Sequence, residues 1–79
     1  MKVELEHNLT TLGNIITIIK DGEPCARLRQ IGRHHPDTRL EWLTWTNGKM
    51  TQNAIQFPFA HLADITISDA EKLVTKYNI

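Results

Sequence analysis

Two dipeptides, Asp21-Gly22 and Asn47-Gly48, constrain the fold of this chain more than any other feature of its sequence. Asp or Asn followed by Gly tolerates the positive φ angles of a two-residue hairpin turn. A run rich in β-branched residues, 15–19, precedes the first dipeptide, and the apolar segment 39–46 precedes the second. Both segments are typical of strands. We therefore expect two tight hairpins, with the return strands at residues 25–31 and 49–55.

The first hairpin predicts which side chains share a face of the sheet. An uninterrupted ladder across a two-residue turn places Ile16 and Ile18 on the same face as Arg27 and Arg29, because strand side chains alternate. This face would be half apolar and half cationic. Two interpretations stay open at this point: the arginine stems cover the isoleucines, or a partner covers them.

The second hairpin has apolar side chains on both faces of its first strand. Alternation sends Leu40 and Trp42 to one face, and Leu43 and Trp45 to the other. Pairing across the turn opposes Leu40 with Ile55, and it opposes Trp45 with the thioether of Met50. The tryptophans therefore divide between the two faces of the sheet.

The two ends of the chain complete the expected fold. Residues 2–7 alternate as a short strand, and residues 8–14 are typical of a loop. Near the other end, Ser68 and Glu71 fit a capping box at a helix start. An apolar stripe then follows at helical spacing. We predict a single α+β domain over residues 1–79: a small curved antiparallel sheet of four to five strands with a C-terminal helix packed on one face, through Ala70, Leu73, Val74 and Tyr77.

Length and composition narrow the class of protein. The chain has 79 residues and one cysteine, Cys25, which cannot form an internal disulfide, so we expect a reducing, cytoplasmic setting. No apolar run approaches the ~20 residues that span a membrane, and the start lacks the pattern of a signal peptide. Because domains this small are marginally stable on their own, we expect a homodimer.

The charges balance overall but are unevenly distributed. Nine Lys and Arg residues match nine Asp and Glu residues, which argues against broad nonspecific binding to nucleic acid. Within residues 27–39, however, four arginines face a single acidic residue, Asp37, and His34 and His35 lie in the same stretch. The overall neutrality therefore does not exclude a local site for anions at Arg27, Arg29, Arg33 and Arg39.

Residues able to carry chemistry are few. Structural zinc sites need paired ligands at short spacing, and Cys25, His34, His35 and His61 do not provide it. No Gly-rich phosphate loop and no G-x-S-x-G nucleophile elbow occur. The hydroxyl of Ser68 is better explained as a helix cap. We therefore expect no metal, no cofactor and no enzymatic activity.

Two local resemblances bear on nucleic acid. Paired hairpins followed by the helix entry ITISDAEKL (residues 65–73) resemble the single-stranded-DNA-binding coactivator family. That resemblance implies a sheet face that binds single strands, although this chain is neutral and lacks the lysine-rich character of the family. The segment ITIIKDGEPCARLRQI (residues 16–31) resembles a hairpin of prevent-host-death antitoxins, but the helix that precedes it in those proteins is missing here.

Two functional hypotheses follow from the sequence. The leading one is a non-catalytic interaction module that binds a larger protein and modulates or inhibits it, as small proteins of phages and mobile elements do. Its expected contact residues are Arg27, Arg29, Arg33, Arg39, Ile16 and Ile18. The alternative is a single-stranded nucleic-acid-binding protein that uses Arg27, Arg29, Arg33 and Arg39 with Trp42 and Trp45 as stacking surfaces.

Overall fold

A computed structural model of the chain describes residues 1–10, 13–31, 37–57 and 64–79. Within these ranges the strands form one antiparallel sheet in sequential order, and a helix follows at the C-terminal end. The predicted α+β class is thereby confirmed, with five strands. The elements are β1 (Val3–Thr10), β2 (Gly13–Lys20), β3 (Glu23–Ile31), β4 (Asp37–Thr46), β5 (Lys49–Phe57) and α1 (Ile67–Lys76).

The pairing of β4 with β5 follows the predicted register. Leu40 lies opposite Ile55, and Trp45 lies opposite Met50, without interruption along the ladder. At the turn, Asn47 and Gly48 have φ angles of 53° and 74°. An Asn-Gly pair accommodates these positive angles at small cost, because Gly has no Cβ and Asn tolerates the left-handed region.

The pairing of β2 with β3 differs from the prediction by one residue. Near the turn, Ile19 lies opposite Pro24, but the next pair is Ile18 with Ala26. Cys25 is therefore the extra residue of a β-bulge. Because strand side chains alternate, one inserted residue exchanges the faces of everything beyond it.

The bulge overturns the predicted surroundings of two isoleucines. Ile16 and Ile18 are 2% and 0% exposed, and they lie in the core beside Leu28 and Ala26. They are on the face opposite to the arginines of β3. The prediction that Ile16 and Ile18 share the arginine face is wrong, and neither side chain is accessible to a partner.

The core lies between the sheet and α1. Ala70 and Val74 of the helix belong to one buried cluster with sheet residues such as Leu28 and Leu40, both 0% exposed. Leu73 and Tyr77 pack partly against the same cluster, so the predicted apolar stripe is confirmed. The sheet therefore has one face covered by α1 and one face that the helix leaves open.

The helix begins two residues earlier than predicted. Its N-cap is Thr66, whose Oγ1 accepts a hydrogen bond from the Asp69 backbone N–H at 3.1 Å, while Asp69 Oδ2 accepts one from the Thr66 N–H at 3.0 Å. The capping box predicted at Ser68 is wrong. Capping at Thr66 places the apolar residue before the cap, Ile65, in the core with Ala70, as in a hydrophobic staple. Capping at Ser68 would give that role to Ile67, which is 49% exposed.

The helix ends in a Schellman-type arrangement. Asn78 has a φ of 54°, and its N–H donates to the carbonyl of Thr75 at 3.4 Å. The N–H of Ile79 donates to the carbonyl of Val74 at 3.0 Å. These bonds satisfy carbonyls that the last turn leaves free. The Nζ of Lys20 also donates to the carbonyl of Ile79 at 2.8 Å, which joins the end of the chain to β2.

Several strand bounds extend beyond the prediction. Pairing between β1 and β2 continues as far as Thr10 opposite Gly13, so most of segment 8–14, predicted as a loop, is strand. Strand β4 begins at Asp37 rather than Arg39, and Thr38 is 1% exposed. Residues 32–36 and 58–63 are outside the described residues, and so are the predictions that fall on them, including those for Arg33, His34, His35 and His61.

Candidate functional site

The face of the sheet opposite α1 is called the open face below. Its members follow from alternation away from the buried residues and from the strand registers. It has acidic residues on β1, arginines on β3 and β4, Glu41 on β4, and uncharged residues, half polar and half apolar, on β5. The side chains used below are Glu4, Glu6, Ile15, Thr17, Arg27, Arg29, Arg39, Glu41, Leu43, Trp45, Met50, Gln52, Ala54 and Gln56.

A buried carboxylate lies at the centre of the open face. The side chain of Glu41 is only 6% exposed, and its Oε1 lies 3.4 Å from Nε of Arg27 and 3.0 Å from Nε of Arg29. Its Oε2 accepts hydrogen bonds from Gln52 Nε2 at 3.4 Å and from Arg27 at 3.5 Å. The two arginine side chains are 47% and 38% exposed. Glu41 therefore forms an ion pair with each arginine, and it accepts hydrogen bonds from Arg27 and Gln52.

The balance of charge around Glu41 is positive. Arg39 lies directly opposite Arg29 in the pairing of β3 with β4, on the same face. Like charges in opposed positions repel each other. Glu41 already contacts both Arg27 and Arg29, and Arg39 has no ion pair with any described residue. We call these four residues, Arg27, Arg29, Arg39 and Glu41, the arginine cluster. Three arginines and one glutamate give it a net charge of +2.

An apolar patch continues from the arginine cluster along β4 and β5. Leu43, Trp45 and Met50 are 58%, 70% and 52% exposed. Pairing of β3 with β4 ends at Ala26 opposite Trp42, so β4 and β5 extend beyond the rest of the sheet. This patch of three large apolar side chains is called the apolar tip, and it places hydrophobic surface next to cationic surface.

An open depression of about 440 Å³ lies where β3 and β4 separate. It is lined by the bulge residue Cys25, by Pro24, by Leu43 of the apolar tip, and by Arg27 and Glu41 of the arginine cluster. The depression therefore connects the two parts of the open face.

Cys25 lines this depression and also packs against the core. Burial raises the pKa of the Cys25 thiol, and the charge of Lys20 opposes that shift in part. The Sγ donates to the backbone carbonyl of Ile18 at 3.4 Å. Because the thiolate is the nucleophilic form, these surroundings disfavour reactivity.

The predicted site residues are only partly brought together. Arg27, Arg29 and Arg39 share the open face, and Trp45 lies on the same face. Trp42 points to the covered face, where its ring lies 5.6 Å from that of Tyr77, so it provides no stacking surface beside the arginines. Four further residues contribute to the open face and were not predicted as functional from the sequence, namely Glu41, Gln52, Leu43 and Met50.

The sequence does indicate that some of these residues share a face with Arg39. Glu41, Leu43 and Trp45 have the same parity as Arg39 along one strand, which places them on one face by alternation. The burial of Glu41 has no such signal, because it depends on the register that brings Arg27 opposite Glu41. Among the described residues, no group of three or more His, Cys, Asp and Glu side chains is placed to hold a metal ion. In the same part of the chain, no helix has the length and apolar character required to cross a membrane.

Comparisons with known proteins give no relative for this chain: no family model, no curated protein and no solved structure matches it.

Proposed function

We propose that this chain is a non-catalytic binding module that docks on a larger protein through its open face and modulates that protein by covering part of its surface. The observation that carries this proposal is the arginine cluster lying next to the apolar tip. Arginine and tryptophan are the residue types most enriched in the energetic centres of protein interfaces. The net positive charge selects a partner surface with carboxylates beside an apolar patch.

The buried glutamate supports this proposal through pre-organisation. An arginine held by a carboxylate loses less side-chain freedom when a partner binds, because its stem is already ordered. Arg27 and Arg29 are held in this way by Glu41. Arg39 has no such counter-ion among the described residues, so it is the arginine whose charge a partner carboxylate would neutralise most completely.

A protein partner fits the open face better than a nucleic acid does. Binding of single strands uses several aromatic rings beside cations, and of the two tryptophans only Trp45 lies on this face, because Trp42 is on the other one. Glu41 offsets part of the arginine charge, and Glu4 and Glu6 add negative charge at the β1 side of the same face. Phosphates would meet these carboxylates, whereas a protein surface of mixed charge would not be repelled as a whole.

The test is quantitative capture by the immobilised chain from an extract of the cells that produce it. The informative variants are Arg39→Glu and Trp45→Ala. Arg39→Glu reverses a charge that has no ion pair among the described residues, and Trp45→Ala removes the most exposed side chain of the apolar tip. The matched control is Lys72→Glu, the same charge reversal on an exposed residue of α1. We expect the wild type and the control to retain the same one protein. The amount of that protein retained should be at least about tenfold lower with each of the two informative variants.

A second measurement separates the nucleic-acid alternative. A fluorescent single-stranded oligonucleotide is titrated with the same proteins at low and at high salt. Binding that falls steeply with salt and is lost in Arg39→Glu would favour the alternative, because contacts to phosphates release counter-ions. If the captured protein is retained equally by all variants, the open face is not the docking surface.

A further inference from the structure

Among the strands and the helix that the structure describes, the outer edge of β5 is the least protected part of the sheet. Strand order places β1 and β5 at the two edges, and each pairs with one neighbour only among the described residues. An edge strand exposes a row of unpaired N–H and C=O groups, and natural proteins usually protect it with charges, prolines or bulges. Strand β5 has nine residues, KMTQNAIQF, with a single charge at Lys49 beside the turn and no proline.

The two edges differ in this respect. Strand β1 carries Glu4 and Glu6, together with His7, and these discourage the approach of another strand. Strand β5 has a register with β4 that continues from Lys49 to Phe57 without a bulge. Its middle residues are uncharged, so two copies of this strand would not repel each other.

We propose that two copies of this chain pair through β5 in antiparallel orientation, around a two-fold axis perpendicular to the sheet. A second copy fits this edge because the same neutral strand is supplied by both partners, as a two-fold interface requires. The pairing continues the antiparallel pattern of the existing sheet and satisfies the outward backbone groups of β5 in both chains. It also covers Ile55, which is only half-buried in one chain, and the exposed Ala54.

The resulting dimer has a continuous ten-stranded sheet with both open faces on the same side. Three strand spacings, about 14 Å across the sheet, separate β4 from its symmetry mate, and five separate β3 from its own, so the two arginine clusters lie on one face on either side of the seam. This consequence rests on the proposed function, because a partner would meet two clusters at once. The dimer itself does not rest on it, since it depends only on β5.

Hydrogen exchange of the wild-type protein at high and low concentration is the first test. We expect alternate amides of β5, those that point outward, to exchange slowly at high concentration and quickly on dilution. Strand β1 is the internal control, because its outward amides should exchange at the same rate at both concentrations. Equal exchange of β5 at all concentrations would overturn the proposal.

Analytical ultracentrifugation of two matched variants is the second test. Thr51→Lys with Gln56→Lys adds one lysine on each face of β5, and His7→Lys with Asn8→Lys does the same on β1, all at exposed positions. We expect the first variant to raise the dimer dissociation constant at least about tenfold, because four lysines meet at the seam of the dimer. The second should leave it unchanged. A wild type that sediments as a single chain, or a dimer broken only by the β1 variant, refutes pairing through β5. If the wild type forms the dimer but captures no partner protein, the result contradicts the proposed function and leaves the dimer proposal standing.

Discussion

Replacement of Glu41 by glutamine separates stability from binding at the arginine cluster. Glutamine has nearly the same shape as glutamate, so the change removes a charge and leaves the packing almost intact. Arg27 and Arg29 would lose the carboxylate that lies between them, and Arg29 would still face Arg39. We expect Glu41→Gln to lower the free energy of unfolding while it raises the net charge of the cluster from +2 to +3.

The size of the loss is set by the exposure of the arginines. Removing one partner of a fully buried ion pair costs about 3–5 kcal/mol, whereas an exposed pair contributes about 0.2–1 kcal/mol. The carboxylate of Glu41 is buried, but the arginine side chains are 47% and 38% exposed, so solvent screens both pairs. Two screened pairs give about 1–2 kcal/mol in total. For a domain of this length, that loss lowers the melting temperature by roughly 5–15 °C.

Chemical denaturation of the variant and of a matched control tests this estimate. The control is Glu6→Gln, which removes the same charge from an exposed residue of the open face and should change stability by less than about 0.5 kcal/mol. In an Arg29→Gln background, Glu41→Gln should cost less, because one of the two pairs is already absent. If Glu41→Gln is no more destabilising than Glu6→Gln, then Glu41 does not order the arginines, and the pre-organisation argument fails.

Three further predictions test the helix and the tryptophans. Thr66→Ala should destabilise the protein by about 1 kcal/mol in denaturant titrations, whereas Ser68→Ala should cost less than about 0.5 kcal/mol, because Thr66 is the N-cap. Hydrogen bonds from the backbone and then the side chain of Thr66 lower the pKa of Asp69. The extra stability of the wild type relative to Asp69→Asn should therefore be fully present above the pKa that this carboxyl has in the unfolded chain. It should be lost as the pH falls through the lowered pKa of the folded state, and thermal melts at a series of pH values would show this. Trp42→Ala should lower the free energy of unfolding by about 2–4 kcal/mol, and Trp45→Ala by less than about 0.5 kcal/mol. Equal losses for the two variants would contradict the placement of the two rings on different faces.

Local signals in the sequence predicted the elements well and their exact ends poorly. The register of β4 with β5 follows from Asn47-Gly48 alone, because a two-residue turn determines every later pair. The start of α1 was misplaced because two segments fit a capping box, one from Thr66 and one from Ser68. The choice between them depends on whether Ile65 or Ile67 reaches the core. That is a property of the tertiary structure rather than of the local sequence.

The candidate site was predicted less completely, for a related reason. Arg27, Arg29 and Arg39 were identified from their clustering in the sequence, and alternation alone placed Trp45 on the face of Arg39. The role of Glu41 depends on which residue of β3 lies opposite it. Residues 32–36 separate these strands without a two-residue turn signal, so the sequence does not determine that register.

The bulge at Cys25 shows which sequence signal would have corrected the face assignment. Strand β3 alternates Ala26 and Leu28 with arginines, so its apolar face is unambiguous. In β2 the isoleucines fit either face, and Thr17 is the one polar residue among them. Matching Thr17 to the arginine face requires the ladder to shift by one residue after the turn, and Thr17 does lie opposite Arg27. Without the bulge, Ile15, Thr17 and Ile19 would lie in the core with Ala26 and Leu28. The cost of a bulge is local, and it keeps the hydroxyl of Thr17 out of the core, so the polar residue decides the register.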